Sequence, residues 1–221
     1  MQNSDINIKT ILKEIRTREN GPAVDAMERM GMNYNRNFGV ALSDLKAIAN
    51  KYKPNHELAK VLRNKDIRET RILAEMIEDT NLISEKEVEN IIQNINTIEL
   101  AEQTTINLLE KLNFTEEKVI EWIKSEKEFV ITTAFILISR IALLKKDKSD
   151  NYFIEILPYA EKHSENNSIF VRKAISRALR QIALRNEKLK SKILLTCDNI
   201  KDKNSQLANI IIEEVVPLID F

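Results

Sequence analysis

The residues best suited to chemistry are concentrated in one basic segment. Ser168 to Asn186, SIFVRKAISRALRQIALRN, carries Arg172, Lys173, Arg177, Arg180 and Arg185 with no acidic residue among them. Wound at about 3.6 residues per turn, Val171, Ala174, Ala178, Leu179 and Ile182 make an apolar stripe, and the cations take the remaining faces. A planar guanidinium forks onto two phosphate oxygens, and each neutralised phosphate releases counterions, so the pattern points to a phosphate backbone. A solvated helix face is the plainer reading. Arg68 and Arg71, three residues apart after Asp66, form a second and smaller basic pair. Aromatic residues interleaved with the cations, as grooves that stack single strands require, are not evident in these helices.

Other chemistries find less support. Lys plus Arg and Asp plus Glu number 34 each, so the net charge draws the chain to no polyanion or membrane. The single cysteine, Cys197, excludes an internal disulfide, and His56 and His163 lie too far apart to suggest a zinc site. No Ser/His/Asp arrangement, Cys/His pair or glycine-rich phosphate loop is present. No metal or organic cofactor is expected.

The elements that must position the basic segment are helices. Glycine and proline are scarce, at 3 and 4, while Ile, Leu, Lys, Glu and Asn dominate, which predicts an all-α fold. Ser84 with Glu87 reads as a capping box, and Thr115 and Ser149 precede further apolar-periodic runs. About five helix pairs follow over 55–221: 55–63 with 66–78, 84–95 with 97–112, 115–124 with 127–145, 149–163 with 168–185, and 187–198 with 203–216. A beat of about 30 to 40 residues is that of helical-hairpin arrays, and without the Trp/Gly/Tyr/Pro pattern of TPR units a HEAT-like solenoid is the closer match. Such hairpins stack to bury their apolar faces and leave a concave surface lined by the second helix of each pair.

Residues 1–54, with turns at Gly21-Pro22 and between Gly31 and Gly39, read as a helical N-terminal cap, so 1–221 is expected to form a single domain. Pro158 should end or restart its helix. Trp122, the sole Trp, is assigned to core packing. The apolar run from Phe129 to Leu144 is interrupted by Arg140 and falls short of the roughly 20 residues a membrane span needs, so it reads as a buried repeat helix. The opening MQNSDINIKT lacks the basic start and apolar run of an export signal, and a cytoplasmic protein with no membrane contact is expected.

Three stretches carry a family resemblance: FGVALSDLKAIANKY, EWIKSEKEFVITTAFILI and FVRKAISRALRQIALRN. In order and spacing, from Phe38 to Arg185, they resemble the HEAT-like repeat DNA glycosylases of the AlkD type, the DNA alkylation repair proteins. The resemblance implies a duplex held on the concave face and release of cationic N3- or N7-alkylpurines. In that mechanism aromatic rings contact the sugar and a carboxylate stabilises oxocarbenium-like charge. Where the family has Trp and, four residues on, a catalytic Asp, the run NTIELAEQ has Ile98 and Glu102. Where it has a middle-repeat Arg, FVITTAF has Thr132, and where it has a second Trp, ISRALRQ has Arg177.

Three functional positions have thus changed chemical type, and only the carboxylate survives, one methylene longer. Ile98 and Arg177 supply no aromatic surface, and Arg177 adds positive charge beside a cationic substrate. The expected function is double-stranded DNA binding through Arg68, Arg71, Thr132, Lys173, Arg177 and Arg180, without efficient base excision. The alternatives are an alkylpurine glycosylase using Glu102 as its catalytic carboxylate, and a repeat scaffold that binds a protein partner.

Overall fold

The computed structural model describes residues 2–219; the ends of the expected 1–221 domain, residues 1, 220 and 221, lie outside the described residues. The chain divides into two compact units, one running to Ile91 and including Ile106–Lys111, the other formed by Ile92–Thr105 and the residues from Leu112 on. Among the described residues the regular structure is entirely helical.

The first unit contains α1 (Gln2–Arg16), α2 (Gly21–Arg29), α3 (Leu42–Ala49), α4 (His56–Arg63), α5 (Arg68–Ile77) and most of α6 (Glu85–Gln93). Local signals set its helix starts. Asn20 caps α2, with Pro22 in the first turn, and the Asn55 side chain accepts from Leu58 N at 3.0 Å to cap α4. Ser84 and Glu87 close the expected capping box. Ser84 N donates to Glu87 Oε2 at 2.9 Å and Glu87 N to Ser84 Oγ at 3.3 Å.

A buried ion pair at the start of α5 organises the rest of this unit. Arg68 and Glu69 are 1 % and 0 % exposed. Arg68 Nη1 donates to Glu69 Oε1 and to Val40 O, both at 2.9 Å, while the Glu69 carboxylate accepts from the backbone N–H groups of Phe38 and Val40 at 3.2 Å. The segment entering α3 is thereby pinned to α5. Gly39 lets the same segment pass close by Asn20 at the start of α2: its φ is +68°, and an added Cβ would lie 2.2 Å from the Asn20 carbonyl oxygen.

The second unit contains most of α7 (Ile98–Asn107), then α8 (Thr115–Ile123), α9 (Glu128–Leu144), α10 (Asp150–Ile154), α11 (Leu157–His163), α12 (Ile169–Ala183), α13 (Glu187–Lys201) and α14 (Gln206–Ile219). Its centre is α9, the apolar run from the sequence, buried at nearly every position from Val130 to Ala142. The hydroxyls inside it are satisfied within the helix: Thr132, Thr133 and Ser139 donate to the carbonyls of Glu128, Phe129 and Ile136 at 2.8, 2.6 and 2.7 Å. No helix among the described residues is long and apolar enough to cross a membrane.

The expected helices are present with three local revisions, the first being that the 97–112 helix ends at Asn107 and is followed by a 3-10 turn over Leu109–Lys111. The 149–163 helix is broken into α10 and α11, and Pro158 occupies the first turn of α11, where its missing N–H costs nothing. Thr115 is not a cap but the first residue of α8, and its hydroxyl donates back to Leu112 O at 2.7 Å. Trp122 is buried, at 2 % exposure.

Breaking the Arg68–Glu69 pair leaves a charge buried without its partner. Glu69→Gln is expected to lower unfolding free energy by about 3 kcal/mol or more, read from urea denaturation; an unchanged midpoint would show that the pair does not organise this unit. Burial pushes the Cys197 thiol up to about 12, helped by nearby Asp198. Native protein at pH 8 should therefore resist thiol-modifying reagents and react only on unfolding.

Candidate functional site

Four helices of the second unit surround a cleft of about 410 Å³, lined by Ile98 and Glu102 of α7, Ile136 of α9, five residues of α12 and Glu214 of α14. The α12 contribution is Phe170, Lys173, Ala174, Arg177 and Arg180. These recur at helical spacing and form one face, next to the stripe by which α12 packs on α9. The stripe residues Val171, Ala178, Leu179 and Ile182 are at most 1 % exposed. Burying them fixes the rotation of α12 and aims its cations into the cleft.

The start of α12 is fixed equally firmly. Ser168 Oγ accepts from Phe170 N at 3.1 Å and Val171 N at 3.3 Å, and its hydroxyl is held by the Glu128 carboxylate. Phe170 packs against Phe129 with ring centroids 5.7 Å apart. Across the cleft, Arg177 Nη1 donates to Glu102 Oε1 at 3.2 Å, with side chains 37 % and 42 % exposed. Arg180 Nη1 reaches Glu214 O at 3.4 Å. Lys173, Arg177 and Arg180 thus share the cleft with Glu102 and Glu214, over Ile98 and the nearly buried Ile136 and Ala174.

Of the residues singled out from the sequence, Glu102, Lys173, Arg177 and Arg180 meet in this cleft, and Ile98 stands beside them. Arg68 does not belong to a surface site, because its guanidinium lies in the core on Glu69 and Val40. Thr132 is 0 % exposed with its hydroxyl turned onto Glu128 O, so it is a core residue rather than a phosphate contact. Its counterpart in the cleft is Ile136, one turn further along α9. Arg71 is 15 % exposed and 3.9 Å from Asp66; burial lowers its pKa, and the acidic neighbour offsets that only in part.

The remaining cations of the basic segment are structural. Arg172 is 8 % exposed and donates to Asn166 O. Arg185 donates to the carbonyls of Ala142, Lys145, Lys146 and Lys148 at 2.8 to 3.1 Å and lies 4.6 Å from the Phe153 ring centroid. It thereby gathers carbonyls at and just beyond the end of α9 onto one guanidinium. Sequence reasoning missed Phe170, although its spacing to Lys173 and Arg177 was the available signal. It also missed Ile136 and Glu214, which tertiary packing alone brings to the cleft.

A second, smaller depression in the first unit, about 290 Å³, has its lining Arg63 engaged by carboxylates. Arg63 is bidentate on Glu75 at 3.1 and 3.2 Å and bonds Glu78 at 2.9 Å. Burial alone would lower its pKa, but those carboxylates hold it raised. Among the described residues no group of three or more His, Cys, Asp or Glu could hold a metal ion.

Residues 11–213 match the family described as DNA alkylation repair enzyme. No curated protein matches the sequence. Among solved structures the chain is similar, at 20 % identity and a TM-score of 0.75, to one from a new family of proteins related to the HEAT-like repeat DNA glycosylases with affinity for branched DNA structures. The likeness covers 93 % of this chain and 92 % of that one, and it identifies the fold as HEAT-like helical repeats.

The two kinds of arginine on and beside α12 should separate in denaturation experiments. Arg177→Ala, which removes a half-exposed pair, is expected to change stability by under about 1 kcal/mol. Arg185→Ala should cost about 2 kcal/mol or more by leaving several carbonyls unpaired. Equal effects would contradict the division into cleft and structural cations.

Proposed function

The chain belongs to the DNA alkylation repair enzyme family, and from that premise we propose that it binds DNA through the cleft of its second unit. The observation that carries this reading is the alignment of Lys173, Arg177 and Arg180 on one face of α12. Lys173 is exposed and the two arginines are accessible enough to exchange their present partners for phosphates. Along the helix axis Lys173 and Arg180 lie about 10 Å apart, a reach that covers successive phosphates of one strand. The affinity for branched DNA of the structurally similar family supports branched DNA as the preferred form. The family match, unbroken from residue 11 to 213, supports reading both units as parts of one repeat domain.

Binding without excision is the form of the activity that the cleft favours. Glu102 stands where the resembled glycosylases carry their catalytic carboxylate, and it is hydrogen-bonded to Arg177, which compensates the charge such a role needs free. Ile98 presents no aromatic ring to a lesion sugar, and the cations oppose a positively charged purine. Glu102 therefore serves to hold Arg177 in place between binding events.

Titration of labelled duplex and branched DNA at several salt concentrations tests the proposal. The triple variant Lys173→Ala/Arg177→Ala/Arg180→Ala should weaken binding by about tenfold or more and flatten the log–log salt slope by about 0.9 for each phosphate no longer neutralised. Glu102→Gln, which frees Arg177 and removes a negative charge facing phosphate, should tighten binding a few-fold. No methylpurine release is expected from N3- or N7-methylated duplex. Release that disappears in Glu102→Gln would establish a glycosylase instead, and indifference to DNA would point to a protein partner.

A further inference from the structure

Phosphate binding accounts for the cationic wall of the cleft but not for its floor. Ile98 and Phe170, with the nearly buried Ile136 beneath them, form an apolar surface that the anionic phosphates of a duplex backbone do not fill. At about 410 Å³ the cleft falls within the size range of small-molecule sites, larger than a phosphate requires. Phe170 is half-buried on the same helix face as the three cations, one turn before Lys173 and two before Arg177. Its position is built rather than incidental: Ser168 fixes its backbone and Phe129 packs against its ring.

We propose that the cleft takes a single unpaired nucleotide, its base stacked on Phe170 over the apolar floor and its flanking phosphates on Lys173, Arg177 and Arg180. This deepens the DNA-binding reading and rests on it. An unpaired nucleotide is the unit of DNA that offers an exposed π-face and an anionic group within one residue, which matches an aromatic side chain beside a row of cations. Branched DNA supplies such nucleotides at the junction, where no base pair has to be broken to release them. A fully paired duplex would engage the cations alone. Stacking on Phe170 would then be the feature that separates branched from continuous DNA.

The test uses wild-type protein and flapped duplexes carrying 5-iodouracil, a photo-crosslinker of stacked aromatic side chains, either unpaired at the branch or paired one helical turn away. Phe170 should crosslink to the unpaired base and not to the paired one, with the adduct located by mass spectrometry. In parallel, Phe170→Leu, which keeps apolar volume against Phe129, should weaken flap binding by about tenfold while duplex affinity stays within about twofold. Its melting temperature checks that the fold persists. Salt-dependent DNA binding with no Phe170 adduct, or an equal loss on flap and duplex in Phe170→Leu, would overturn this inference and leave the DNA-binding reading standing. Absence of salt-dependent binding to either DNA would overturn both.

Discussion

The packing of α12 on α9 is the constraint from which the chemistry of the second unit follows. α9 is apolar around its circumference and can be stable in water only if neighbours cover it. α12 provides a stripe that is buried almost completely, and once that stripe is seated the helix has no rotational freedom left. Which cations face the cleft, and which are drawn into the framework, is decided by that rotation. Lys173, Arg177 and Arg180 fall on the cleft side, whereas Arg172, one position before Lys173, is turned into the protein onto Asn166.

Desolvation then sorts the arginines by role. A guanidinium taken out of water needs polar partners, and Arg68, Arg63 and Arg185 each meet carboxylates or carbonyls that hold a neighbouring segment in place, although Arg185 Nε is buried without a hydrogen bond. Arg177 keeps over a third of its side-chain surface in water, so its bond to Glu102 is cheap to exchange. The same residue type thus supplies rigidity at one exposure and an exchangeable surface ion pair at another. In the active-site logic of the resembled glycosylases an aromatic ring would stand where Arg177 does. On the DNA-binding reading proposed above, the guanidinium favours phosphate over a cationic base.

Much of this was legible in the sequence, because apolar period and capping residues are local signals. The helices, the Ser84–Glu87 capping box, the restart at Pro158 and the buried nature of the Phe129–Leu144 run all follow from residues within a turn or two of one another. What sequence could not supply was exposure. Arg68 and Arg71 look equivalent at i and i+3, yet one lies in the core because Glu69 and Val40 happen to meet it there. Thr132 occupies an aligned position but its helix is covered on that side, and the cleft takes Ile136 instead. Phe170 was hidden for the opposite reason: at the edge of an apolar stripe it reads as core, and only the packed helices show it lining a cleft.

If this cleft, rather than another surface, receives DNA, the binding footprint must fall on α7 and α12. Backbone chemical-shift mapping of isotope-labelled protein on addition of a branched oligonucleotide reads that footprint residue by residue. The largest perturbations should appear at Ile98–Glu102 and Phe170–Arg180. Perturbations that avoid both stretches and cluster elsewhere would place the DNA on a different surface and contradict the role assigned to the cleft.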